Sequence, residues 1–306
     1  MEKYDLIIIG GSAAATAAGI YAARRNLNFK IISKDFGGEV ATSGEVDNYP
    51  GIPDSNGIEV AEKFKKHLED YNVKMEIGVE VEKMTKQDDG TFLVTAKTGD
   101  YVAKAVIVAT GVHPRELNVP GEKELRNKGV SYCTVCDGPL FPDKTVAIIG
   151  GGNSALEAGI MMADIASKVY VINKNPFFKG EQILIDNLSS KKNVEIIYNA
   201  MTVGISGDGF VSGLKYKVQT GQEQELKVDG IFIHIGMIPN SSILPEGVEK
   251  TKAGEIVVSK NCETDIPGLF AAGDVTDIPF KQIVIAAGQG TCALLQAVNY
   301  LNRLKQ

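Results

Sequence analysis

Several things are scarce in this sequence, and each shortage removes a class of function. Glycines or charges interrupt every apolar stretch well before the about 18 residues that a membrane-spanning helix needs. Positive charge is not in excess. The 306 residues carry a formal net charge of −6, which argues against a nucleic-acid backbone or an anionic membrane as the main partner. The N-terminal MEKYDLIIIG meets acidic residues on its way into a strand-like segment and shows no signal-peptide pattern, so a cytoplasmic location is expected. Cysteine and histidine are few, at four and three. A tetrahedral zinc site needs about four ligands, and one Cys-x-x-Cys pair with Cys262, Cys292, His67, His113 and His234 scattered elsewhere does not make that set. No metal is expected. Cys262 and Cys292 read as ordinary buried thiols, and the histidines as structural.

What the chain does have is glycine, 33 residues of it, placed with a repeat. LIIIGGSAAATAAGI at 6–20 and VAIIGGGNSALEAGI at 146–160 each show an apolar run, a glycine cluster and an alanine-rich stretch of helical spacing, offset by 140 residues. At the same offset FKIISK matches VYVINK, so the pattern is β–turn–α–β twice over. Gly10 and Gly150 suit the tight turn that brings a pyrophosphate to a helix N-terminus. The bland alternative is a sheet turn whose glycines serve packing only. The first copy is irregular, reading Gly-x-Ser-x-x-Ala because Ser12 and Ala15 replace its later glycines. AVIVATGVHP at 105–114 and GIFIHIGMIP at 230–239 form a second matched pair, each a buried strand ending in glycine with proline after it. Domain crossings are therefore expected near 113–120 and 239–247.

GLFAAGDV at 268–275 suits a flavin dinucleotide, with Asp274 accepting from a ribityl hydroxyl; the alternative is a helix cap. The ribose-reading positions at the ends of the second strands are Ser33 and Asn173, and neither is acidic. Lys174 and Lys179 follow the second; they can meet a phosphate as point charges or form a solvated rim. Cys133 and Cys136 lie between the two nucleotide units. A redox dithiol there gives an electron path: nicotinamide to flavin, flavin to the Cys133–Cys136 disulfide, dithiol to a partner's disulfide. Asp137 is either the proton donor and acceptor for that exchange or a turn residue.

The stretches GGSAAATAAGIYAAR, GGEVATSGEVDNYPG, ATGVHPRELNVPGE, YCTVCDGPLF, IIGGGNSALEAG, CETDIPGLFAAGDV and PFKQIVIAAGQG make the whole chain resemble the low-molecular-weight thioredoxin reductase family. That family includes the reductase module of the flavoprotein subunit of alkyl hydroperoxide reductase, to which CDGPLF and the last two stretches are especially similar. The resemblance implies an α/β fold of two Rossmann-like, three-layer ββα dinucleotide-binding domains, the second inserted in the first. The FAD domain would comprise residues 1–115 and 244–306, and the NAD(P) domain with the dithiol residues 116–243. It also implies a homodimer, domain rotation about the two linkers, and reduction of a thioredoxin- or glutaredoxin-like protein.

By motif match, Cys136 would face the flavin, Cys133 would attack the partner and Asp137 would be the acid/base. FAD contacts would come from Gly10, Gly11, Ser12, Ala13, Ala14, Ser33, Gly37, Gly38, Glu39, Val40, Asn48, Val81, Thr110, Gly111, Gly273, Asp274, Val275, Lys281, Gln282 and Ile283. The nicotinamide nucleotide would meet Gly150, Gly152, Asn153, Ser154, Glu157, Asn173, Lys174, Lys179 and Gly236. Members using NADPH carry His-Arg-Arg-x-x-x-Arg where this chain has Asn173-Lys174-Asn175-x-x-x-Lys179, and the hydroperoxide reductase branch has glutamate at Asn173. The choice between NADH and NADPH is thus open. So are a ferredoxin, a deazaflavin or oxygen (as a dithiol oxidase) as the other partner, and a non-catalytic flavin-binding switch. The hydroperoxide reductase flavoprotein also has N-terminal thioredoxin-like domains that this chain does not show, so a separate protein is expected as disulfide substrate.

Overall fold

The computed structural model describes residues 2–43, 46, 48–218 and 221–304; the side chain of Cys136 lies outside the described residues. The chain divides into two compact units, one of Met1–His113 with Ile238–Gln306 and one of Pro114–Met237.

In the first unit the run YDLIII forms part of the strand Glu2–Ile9, flanked in parallel by Phe29–Ser33 and Gly99–Val108. Leu6, Ile7 and Ile8 are fully buried, because a parallel strand is covered on both faces and needs apolar residues on each. The two faces meet different layers. Leu6 and Ile8 pack with residues of the helices Ala13–Arg24 and Ile283–Arg303, while Ile7 and Ile9 pack with Met84, Phe92 and Val94 of an antiparallel layer. That layer is Val81–Lys86, Phe92–Ala96 and the start of Gly99–Val108. Leu269–Ala271, from the far end of the sequence, pairs in parallel with residues 106–108. The helix Ile283–Arg303 then lies close on Ala13–Arg24, so close that a Cβ at Gly290 would stand 2.0 Å from the Ala14 carbonyl oxygen.

The second unit repeats this plan. Its parallel sheet runs, in spatial order, Val194–Tyr198, Lys168–Asn173, Thr145–Ile149, Gly230–Ile233 and Val130–Ser131. Val146 and Ile148 pack with Ala155, Leu156 and Met162 of the helix Asn153–Ala163. Ala147 and Ile149 pack with Ile205, Leu214 and Tyr216 of an antiparallel sheet made of Ala200–Asp208, Phe210–Val218 and Glu223–Lys227. The fold class is the one the sequence suggested: α/β with two dinucleotide-binding sheets. Among the described residues no helix is long and apolar enough to cross a membrane, and no group of three or more His, Cys, Asp or Glu is placed to hold a metal.

Candidate active site

The 140-residue repeat extends to atomic contacts in the two glycine turns. Gly10 and Gly150 have φ of +138° and +153°, and each lies against the carbonyl of the residue just after a neighbouring strand. A Cβ at Gly10 would stand 2.1 Å from Ala109 O, and one at Gly150 2.2 Å from His234 O. Gly10 N–H donates to Ile32 O at 2.9 Å and Gly150 N–H to Ile172 O at 3.0 Å. Gly11 and Gly151 in turn leave no room for a side chain beside Ser33 and Asn173. The glycines are required by backbone approach.

The helices after these turns fit anionic ligands. Ser12, at the start of Ala13–Arg24, donates its hydroxyl to Gly37 O at 2.6 Å instead of capping the helix. Gly152, before Asn153–Ala163, has no side chain to cap with and faces open space. Neither helix has an acidic residue in its first turn. The helix Gly57–Asp70 is the contrast: Asn56 accepts from Glu59 N–H at 3.0 Å and Glu59 sits in the first turn. The first two helix ends therefore retain backbone donors and positive potential for a pyrophosphate.

Of the other first-unit positions, Gly273 lies against the helix after that turn, where a Cβ on it would stand 3.2 Å from Ala14 Cβ. Asp274 follows Gly273 after Leu269–Ala271. Burial raises its carboxyl pKa against the pull of Lys281, and it accepts no hydrogen bond among the described residues, which suits a ligand hydroxyl. Lys281 is itself engaged with Thr276 O and, at 2.9 Å, with Glu255. Asn48 donates to Gln282 Oε1 at 3.2 Å, joining residues far apart in sequence next to Ile283, where the last helix begins. Val40, Val81 and Val275 are buried. Gly37 and Gly38 both have positive φ, and the Glu39 carbonyl accepts from Thr42 and Ser43. The Ser33 hydroxyl is used on Asp35 O at 2.5 Å. Two contributors escaped the sequence reading. Asn240 binds Thr110 O through its amide at 2.8 Å and accepts from Thr110 Oγ1 at its carbonyl, while its N–H reaches Gly111 O. Gln289 Oε1 accepts the Gly273 N–H at 2.8 Å. Asn240 sits in no motif and acts across 130 positions, and Gln289 lies within PFKQIVIAAGQG, where the stretch alone does not show its contact with Gly273.

In the second unit Asn153 and Glu181 hold each other, Asn153 Nδ2 donating to Glu181 Oε1 and Glu181 N–H to Asn153 Oδ1, at 3.0 and 2.8 Å. Lys179 N–H donates to Gly151 O at 2.7 Å, which pins the 174–181 loop across the glycine turn. Asn173 is 1% exposed and mostly occupied within that loop, donating to Phe177 O and accepting from Asn175 N–H. Lys174 and Lys179 are exposed, as are Ser154 and Glu157. Gly236, with φ +106°, faces open space.

The dithiol turn belongs to this unit. Cys133 is disulfide-bonded, while Cys262 and Cys292 are free. Cys292 is only half-buried, because its position on Ile283–Arg303 lies at the edge of the core, which corrects the expectation of a buried thiol there. Cys133 N–H donates to Ser131 Oγ at 3.0 Å, and Asp137 N–H closes the one-turn helix Thr134–Asp137 on Cys133 O at 3.1 Å. Thr134 Oγ1 lies 2.6 Å from His234 Nε2. Burial pushes the His234 pKa down to about 4, so this histidine is neutral at pH 7.

Residues 4–290 match the pyridine nucleotide-disulphide oxidoreductase family. The chain belongs to that family. An alkyl hydroperoxide reductase subunit of Escherichia coli (strain K12) is 41% identical over 309 residues, which are 99% of this chain and 59% of that protein. The chain thus spans about three fifths of the length of the curated relatives it matches. Thioredoxin reductase from Streptococcus pyogenes superposes with a TM-score of 0.81 at 35% identity, covering 98% of this chain and 99% of that one. Thioredoxin reductase of T. acidophilum does so with 0.75 at 38% identity, covering 99% and 100%. The chain has the fold of these thioredoxin reductases, and its family implies FAD and NAD(P)H.

Proposed function

We propose that this chain reduces a thioredoxin- or glutaredoxin-like protein, drawing electrons from NADH or NADPH through FAD and the Cys133–Cys136 disulfide. The supporting observation is a disulfide at Cys133 built onto the same unit as the uncapped Gly150–Gly152 turn. FAD, when bound, supplies the hydride chemistry that links a nicotinamide to a disulfide. The first unit would hold it at the Gly10–Ala14 turn and Asp274; the second would hold the nicotinamide nucleotide at Gly150–Ser154 and beside Lys174 and Lys179. A homodimer and a cytoplasmic setting, where thiols stay in exchange, complete the reading.

The chain's own chemistry is thiol exchange. The Cys133 thiolate attacks one sulfur of the partner's disulfide, forming a mixed disulfide and releasing a partner thiolate. Cys136 then attacks Cys133, restoring the internal disulfide and releasing the second partner thiolate, so two electrons have moved to the partner. Asp137 supplies the proton to a leaving thiolate. The test is capture of the intermediate. Cys136→Ser, reduced and mixed with a thioredoxin whose resolving cysteine is serine and whose remaining cysteine carries thionitrobenzoate in a mixed disulfide, is expected to displace thionitrobenzoate and give a reducible 1:1 adduct on a non-reducing gel, absent with Cys133→Ser. No adduct from Cys136→Ser with either thioredoxin- or glutaredoxin-type partners would exclude Cys133 as the outlet.

A further inference from the structure

Ala109 and His234 hold the same place in the two glycine turns. Each donates its N–H to the last residue of the adjoining strand, Ile9 or Ile149, at 2.8 and 2.7 Å. Each presents its carbonyl to the turn glycine, Gly10 or Gly150. All of these contacts are backbone, and Ala109 shows that the turn needs no side chain beyond a methyl. The imidazole of His234 therefore serves something else. Its hydrogen-bond partner at 2.6 Å is the hydroxyl of Thr134, one of the two residues between Cys133 and Cys136. Thr134 is 3% exposed, so the bond sits away from water, where it is strong and costly to leave unmade. Burial keeps the imidazole neutral, which lets it take this partner without bringing charge into the core. From the other side Ser131 Oγ holds Cys133, accepting its N–H at 3.0 Å and donating to its carbonyl at 3.1 Å.

We propose that His234 is a positioning residue for the redox pair, its hydrogen bond to Thr134 holding the Cys133-x-x-Cys136 turn in the shape in which the disulfide closes. The proposal rests on the reading of this pair as redox-active. When the two thiols join, an S–S bond forms and two protons and two electrons leave, in solution to the oxidised form of a dithiol buffer. A turn that is already fixed loses less freedom on closure, so the anchor favours the disulfide over the dithiol. Removing the anchor shifts the couple toward the dithiol.

The full-length flavoprotein, equilibrated in dithiothreitol redox buffers with its thiols counted by alkylation and mass spectrometry, tests this. Thr134→Val and His234→Ala are each expected to move the equilibrium toward the dithiol by about fivefold, the worth of one hydrogen bond. For a two-electron couple that is about 20 mV. His234→Gln, whose amide reaches the same hydroxyl, is expected to keep the wild-type value, and His234→Ala adds nothing to Thr134→Val in the double variant. Thr134→Val keeps the shape of the side chain, so it remains informative if His234→Ala does not fold. Wild-type equilibria in Thr134→Val, or in both variants, would overturn the proposal. If the wild-type protein shows no reversible couple at Cys133, the redox reading falls with it, an outcome distinct from an unshifted couple.

Discussion

At the scale of single residues, His234 carries a pH dependence. Its folded pKa of about 4 lies below the ordinary 6.5, so between those values the unfolded chain takes up a proton that the folded chain refuses. Stability therefore falls as pH falls through that window, by about 2 kcal/mol between pH 7 and pH 5 from this group. Urea unfolding at the two pH values is expected to show that loss in the wild type and a smaller one in His234→Gln. An equal loss in both would assign it to other groups. His234 also marks how far residue-level reading reaches. Cys133, the glycines and Asp274 were legible because each fills a motif with a chemical reason. The tie between Thr134 and His234 was not, because two ordinary residues 100 positions apart meet only once the sheet sets their register. Asn173 was legible by position, but the use of its amide by Phe177 and Asn175 depends on the path of the loop.

At the scale of elements, the two turn glycines of the second unit separate folding from binding. An alanine at Gly150 meets both positive φ and the His234 carbonyl, and is expected to cost about 2–4 kcal/mol of stability. Gly152 has extended backbone and open space, so alanine there leaves stability within about 1 kcal/mol but fills the approach to the helix N-terminus. Nucleotide affinity, measured by calorimetry, is expected to fall by roughly tenfold in Gly152→Ala. Unchanged affinity would mean that the turn does not hold a pyrophosphate. The elements themselves were readable, since buried parallel strands such as LIIIG and VAIIG announce themselves as apolar runs before a glycine. The placement of Leu269–Ala271 beside Gly99–Val108 was not readable from periodicity, because strand order is set by tertiary pairing.

At the scale of the whole molecule, two units of one plan each hold a nucleotide turn, and the second adds a disulfide at Cys133. The repeat in the sequence revealed this plan. If electrons enter at a nicotinamide and leave at Cys133, the oxidised protein can take up two pairs, one on the flavin and one on the disulfide. Anaerobic titration with NADH and with NADPH, followed by flavin bleaching, counts them. About two nicotinamides consumed per chain are expected in the wild type and about one in Cys133→Ser. A flavin that neither nucleotide bleaches, or an equal count in the two proteins, would contradict it.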